Sequence, residues 1–96
     1  MSARLYAVEV MYTTAMEPLD VEAWVVSAAA EQGDVEKSTA RKAGHLVIVR
    51  LHVRLHGDEE ARALVRVLRT AVTGAPADVT SLSTGAGRNR RRVHFL

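Results

Sequence analysis

Hydrophobic and polar positions alternate most regularly between His45 and His56. There Val47, Val49, Leu51, Val53 and Leu55 interleave with Leu46, Ile48, Arg50, His52, Arg54 and His56. Successive strand side chains point to opposite sides of a sheet, so a period of two with many β-branched positions predicts a strand buried on one face. Leu5–Tyr12 predicts a second such strand, with Tyr6, Val8, Val10 and Tyr12 on one side and Leu5, Ala7, Glu9 and Met11 on the other. Asp34–Lys42 is more polar and predicts an edge strand, followed by a turn at Ala43-Gly44. Val79–Ser83 predicts a short last strand.

Between these segments the period lengthens to that of a helix. Val21, Trp24, Val25, Ala28 and Ala29 fall at the spacing of a buried stripe, which predicts a helix over Asp20–Gln32. Pro18 suits its entry and Gly33 its C-terminal cap. Gly57-Asp58-Glu59-Glu60 opens a second helix with acids at its positive end. Its stripe is Ala61, Leu64, Val65, Leu68 and Val72, with Arg62, Arg66, Arg69 and Thr73 opposite, and Gly74 and Pro76 stop it.

The resulting order β-α-β-β-α-β predicts an α+β, ferredoxin-like βαββαβ sandwich: a four-stranded antiparallel sheet with both helices on one face. The two most apolar strands, the first and third, take its centre. Residues 1–84 make this domain. Residues 85–96 form a Gly/Arg-rich C-terminal arm, whose ending Val93-His94-Phe95-Leu96 alternates and is able to add a short strand to a sheet edge.

Composition narrows the function. Only 4% of the residues are aromatic, so the core is built from Val, Leu and Ala, and walls for a flat cofactor are lacking. There is no cysteine, which excludes disulfides, thiolate catalysis and zinc sites with sulfur ligands. The first residues lack the apolar run of a signal peptide, and no apolar stretch approaches the ~20 residues of a membrane span. A cytoplasmic protein without a membrane partner is expected, and the Ala, Val, Arg and Gly usage is that of a high-GC bacterial or phage gene. The net charge of +2 hides a split. Leu5–Glu36 holds Glu9, Glu17, Asp20, Glu22, Glu31, Asp34 and Glu36 and no Lys or Arg, whereas twelve bases and four acids follow from Lys37 onward. Acidic and basic halves can meet head to tail in a ring or filament whose assembly weakens with salt.

In this fold one sheet face is bare. If the valine side of the third strand meets the helices, the bare face carries Arg50, His52, Arg54 and His56 beside Leu5, Ala7, Glu9 and Met11. Three readings follow. It is a solvated face on which Glu9 pairs with an arginine. It is an association face, with Leu5, Ala7, Met11 and Ile48 supplying apolar area. Or it binds nucleic acid, since the order of elements resembles the RNA-recognition motif. The K/R-G-F/Y-G/A-F-V-x-F/Y signature of that motif is absent, and Arg and His stand where its stacking aromatics belong.

Catalytic and metal signatures are weak. His52 and His56 are four apart on a strand, hence about 13 Å apart, too far for one metal. There is no HExxH and no G-x-S-x-G, and Gly85-Ala86-Gly87 lacks the GK[ST] ending and the following helix of a phosphate loop. The dimeric α/β-barrel monooxygenases and cyclases share this order of elements, and Glu9 with His52 is the one acid–base combination to test here. Arg88, Arg90, Arg91 and Arg92 form a basic arm suited to phosphate or to assembly.

The reading adopted is a small non-catalytic interaction module, without cofactor or metal, that forms a homo-oligomer or joins another protein. Its contact residues are expected among Glu9, Met11, Arg50, His52, Arg54, His56, Arg88, Arg90, Arg91, Arg92, Phe95 and Leu96. The alternative is nucleic-acid binding through the basic sheet face and the arginine arm.

Overall fold

The computed structural model describes residues 3–84 together with the backbone of residues 91–92. The elements run β1 (Arg4–Thr13), α1 (Pro18–Ala30), β2 (Asp34–Ala43), β3 (Leu46–Leu55), α2 (Asp58–Thr70), β4 (Ala77–Thr84) and β5 (Arg91–Arg92). The sheet order is β2-β3-β1-β4-β5, every pairing antiparallel. This is the ferredoxin-like arrangement, with β1 and β3 at the centre of the four long strands and β2 at an edge. The two-residue β5 extends the other edge, pairing Arg92 with Ser83 and Arg91 with Thr84. The expected strand thus falls on the arginines, and Val93–Leu96 lie outside the described residues. No helix among the described residues is long and apolar enough to cross a membrane.

The core lies between the sheet and the helices. Tyr6, Val8, Val10 and Tyr12 from β1 are buried there with Val47, Val49, Leu51, Val53 and Leu55 from β3. The helices close it with Val21, Val25 and Ala29, and with Ala61, Leu64, Val65 and Leu68. Both β1 tyrosines carry a hydroxyl into this layer, and each finds a partner on α2. Tyr6 donates to Asp58 Oδ1 at 2.9 Å, at the start of the helix, and Tyr12 donates to the Leu68 carbonyl at 2.5 Å, near its end. The two bonds fix where α2 lies along β1. On the other helix, Ser38 of β2 donates to Glu22 at 2.5 Å.

Two local expectations need correction. Trp24 is not part of the buried stripe of α1: it is 46% exposed, and Leu19 is 78% exposed. The helix begins at Pro18 and buries the narrower row Val21, Val25 and Ala29, which turns Trp24 out of the core. Gly33 is not a left-handed cap, since among the described residues positive φ occurs only at Gly44 and Gly74. Its role is close approach: a Cβ there would collide with the Arg54 carbonyl and the Leu55 side chain, where the chain enters β2 against β3. Gly44 (φ 61°) opens the two-residue β2–β3 hairpin turn, whose first central position in a II′-type turn favours glycine.

Candidate functional site: the bare sheet face

Pairing across the strands arranges the bare face in rows. Arg41, Ile48, Met11 and Asp78 form one, because Arg41 and Met11 both pair with Ile48 and Met11 pairs with Asp78. Thr39, Arg50, Glu9 and Ser81 form the next, and Lys37, His52, Ala7 and Ser83 the third. Arg54 and Leu5 follow beyond it.

Both edge strands reach these rows through irregularities. The register of β2 shifts between Val35 and Lys37, and that of β4 shifts opposite Glu9 and Val10, leaving Glu36 and Thr80 as the extra residues. A bulge releases one residue from the alternation and re-aims its side chain. Each of these residues serves an ion pair of the bare face. Glu36 binds the Arg54 guanidinium, and Thr80 donates to Glu9 Oε1 at 2.9 Å while Glu9 Oε2 meets Arg50 Nε at 2.6 Å. The expected pairing of Glu9 with an arginine is therefore present. The Arg50 hydrogen bond, with lesser help from Thr80 and from the charges of Arg50 and Arg41, holds the Glu9 carboxyl below its usual range against the opposing effect of burial. Ile48 is only 9% exposed although it faces away from the helices, so the bare face has an apolar centre of its own.

Of the expected contact residues, the sheet brings together Glu9, Met11, Arg50, His52 and Arg54. His56 lies past the end of β3, where its backbone N–H donates to Glu60 Oε1 at 2.6 Å. Arg91 and Arg92 occupy β5. Arg88, Arg90, Phe95 and Leu96 lie outside the described residues. Sequence reasoning missed Lys37, Thr39, Arg41, Asp78, Ser81 and Ser83. Their polarity was visible, but the face each one takes depends on the two bulges.

Around Ala7 the face sinks into an open depression of about 420 Å³, bordered by Lys37, Thr39, Arg50, His52, Ser81 and Ser83. Glu9 and His52 both border it, but Glu9 is engaged by Arg50 and Thr80 in the adjoining row. Among the described residues no group of three or more His, Cys, Asp or Glu side chains is placed to hold a metal ion.

No family model and no curated protein matches this chain. Among solved structures it is similar to a de novo designed protein, Foldit4, with a TM-score of 0.53 and 15% identity over 90% of this chain and 99% of that one. At that identity the likeness shows the fold alone.

Proposed function

We propose that the chain is a non-catalytic assembly module that pairs with a second copy of itself, bare sheet against bare sheet, about a two-fold axis parallel to the strands. Such an axis lays β2 over β4 of the second copy and β3 over β1. The observation that carries this reading is the order of residues within the rows. Arg41–Ile48–Met11–Asp78, met by its own reverse, sets Arg41 against Asp78 and Ile48 against Met11, each twice. Thr39–Arg50–Glu9–Ser81, met by its reverse, sets Arg50 against Glu9. The face is complementary to itself, as a two-fold contact requires. Aligned sheets pack with a rotation of about 30°, which keeps the central rows opposed.

The internal pairs favour covering the face. A charge buried without a partner is strongly destabilising, and Glu9, Arg50, Glu36 and Arg54 already have partners within one chain. The same pairs weigh against a nucleic-acid surface, since two of its arginines are neutralised and both tyrosines of the described residues point into the core. They also favour a two-fold contact over a head-to-tail one. The acidic and basic halves of the sequence interleave in space, with β2 against β3 and Glu36 on Arg54.

Sedimentation equilibrium on charge-swapped variants tests the proposal. Arg41→Asp and Asp78→Arg should each raise the dimer dissociation constant by about tenfold or more, and the double variant should regain most of the loss. A wild-type chain that stays monomeric at high concentration in low salt, or a double variant no better than the singles, overturns it. A shift in mass with a short RNA or DNA duplex, absent with the protein alone, would transfer the face to the nucleic-acid reading.

A further inference from the structure

The third row of the bare face does not complement itself. Reversed upon itself, Lys37–His52–Ala7–Ser83 sets Lys37 against a serine and His52 against an alanine. It also holds the floor of the depression. Ala7 stands between His52 and Ser83, and its short side chain leaves the hollow that longer neighbours surround.

We propose that this hollow is a binding site for a small anion-bearing molecule, with a carboxylate or phosphate group seated over Ala7 between Lys37, His52 and Ser83. Four observations converge on it. The volume of about 420 Å³ falls within the range of small-ligand sites, roughly 300–1,000 Å³. The one carboxylate on its border, Glu9, is held by Arg50 and Thr80 and so does not neutralise Lys37. Among the described residues neither Lys37 nor His52 has an acidic partner. Hydroxyls of Thr39, Ser81 and Ser83 line the border, and these donate to anionic oxygens without carrying charge.

Arg50 and Arg54 on the same face are tied to Glu9 and Glu36, and Arg41 lies two rows away from Lys37 and His52, so these two cations at the depression are set apart from the arginines of the face. The depression belongs to the single chain and does not depend on pairing. Pairing would roof it with the same row of the second copy and withdraw the anion from water, where a charge-assisted hydrogen bond is stronger.

Backbone amide NMR titrations at constant ionic strength test the site, with inorganic phosphate as one probe and citrate as the other. The expected shifts cluster at Lys37, His52, Ala7 and Ser83, and the tighter of the two probes identifies the chemistry of the seat. Lys37→Ala and His52→Ala should each weaken binding by about fivefold or more, because each removes a donor without touching the core. Ala7→Leu should abolish binding by filling the hollow, and Lys42→Ala, on the same strand but paired with core-facing Val47, should leave it unchanged. Shifts spread along Arg62, Arg66 and Arg69 instead, or equal binding by wild type and Lys37→Ala, overturn the proposal. The Arg41→Asp variant separates the two ideas. If pairing is lost while phosphate still shifts the Ala7 row, the anion site stands; if the wild type pairs and the row stays silent to both anions, only the assembly reading survives.

Discussion

The same strands build two surfaces of opposite character. On β3, Val47, Val49, Leu51, Val53 and Leu55 lie in the closed layer beneath the helices, while Arg50 and Arg54 between them are exposed. On β1, Tyr6, Val8, Val10 and Tyr12 are buried while Leu5, Ala7, Glu9 and Met11 are partly open. The covered face is held by shape and by two hydroxyl bonds to α2. The open face is held by ion pairs that two bulge residues help to form. Residues one position apart therefore answer to different physics: packing density on one side, charge and hydrogen bonding on the other.

Neighbouring substitutions on β3 give the largest contrast. Leu51→Ala should cost about 2–5 kcal/mol in urea unfolding, whereas Arg50→Ala should cost under about 1 kcal/mol, because the Arg50 side chain is 66% exposed. Similar losses for both would dissolve the distinction. Tyr12→Phe comes next, at about 0.5–1.5 kcal/mol, since it removes a buried hydroxyl bond to the Leu68 carbonyl, which keeps the Ala71 N–H as a donor. Burial raises the Tyr12 hydroxyl well above its ordinary value, so the unfolded chain ionises first as pH rises beyond about 10. Stability should fall through that alkaline range in the wild type and less so in Tyr12→Phe, as thermal melts at increasing pH would read.

The open face should speak at the other end of the scale. The Glu9 carboxyl is held low in the folded state, so its contribution is present above the ordinary carboxylate range and lost as pH falls through its depressed value. Glu9→Gln should remove that part of the acid loss, worth under about 1 kcal/mol. His52→Ala should change stability least, within about 0.5 kcal/mol, while weakening anion binding.

The centre of the fold was legible because β1 and β3 keep an unbroken alternation, which assigns every residue to a face. The edges were not. On β4, Val79 and Leu82 are both buried, three apart, because Thr80 interrupts the period. On β2 the interruption at Glu36 likewise moves the phase, so Lys37, Thr39 and Arg41 face outward on a strand whose sequence is polar on both sides. A bulge costs the alternation one residue and leaves no mark in composition. Trp24 misled for a related reason. In α1 the outward positions Leu19, Ala23 and Ala30 are also apolar, so polarity does not mark the outer face of that helix. In α2 the arginines draw that border, and its expected stripe of Ala61, Leu64, Val65 and Leu68 is the buried one.

The central place of β1 bears on how the chain reaches this structure. Its partners are β3 and β4, so Tyr6 must wait for Val53 on one side and for Thr84 on the other. The β2–β3 hairpin, closed by a two-residue turn, can form alone within about 1–10 μs. The first of these strands to be made is thus among the last to be enclosed. During synthesis at about 5–20 residues per second, Tyr6, Val8, Val10 and Tyr12 stay uncovered until the closing strand arrives, leaving an apolar strand face open to association in the meantime.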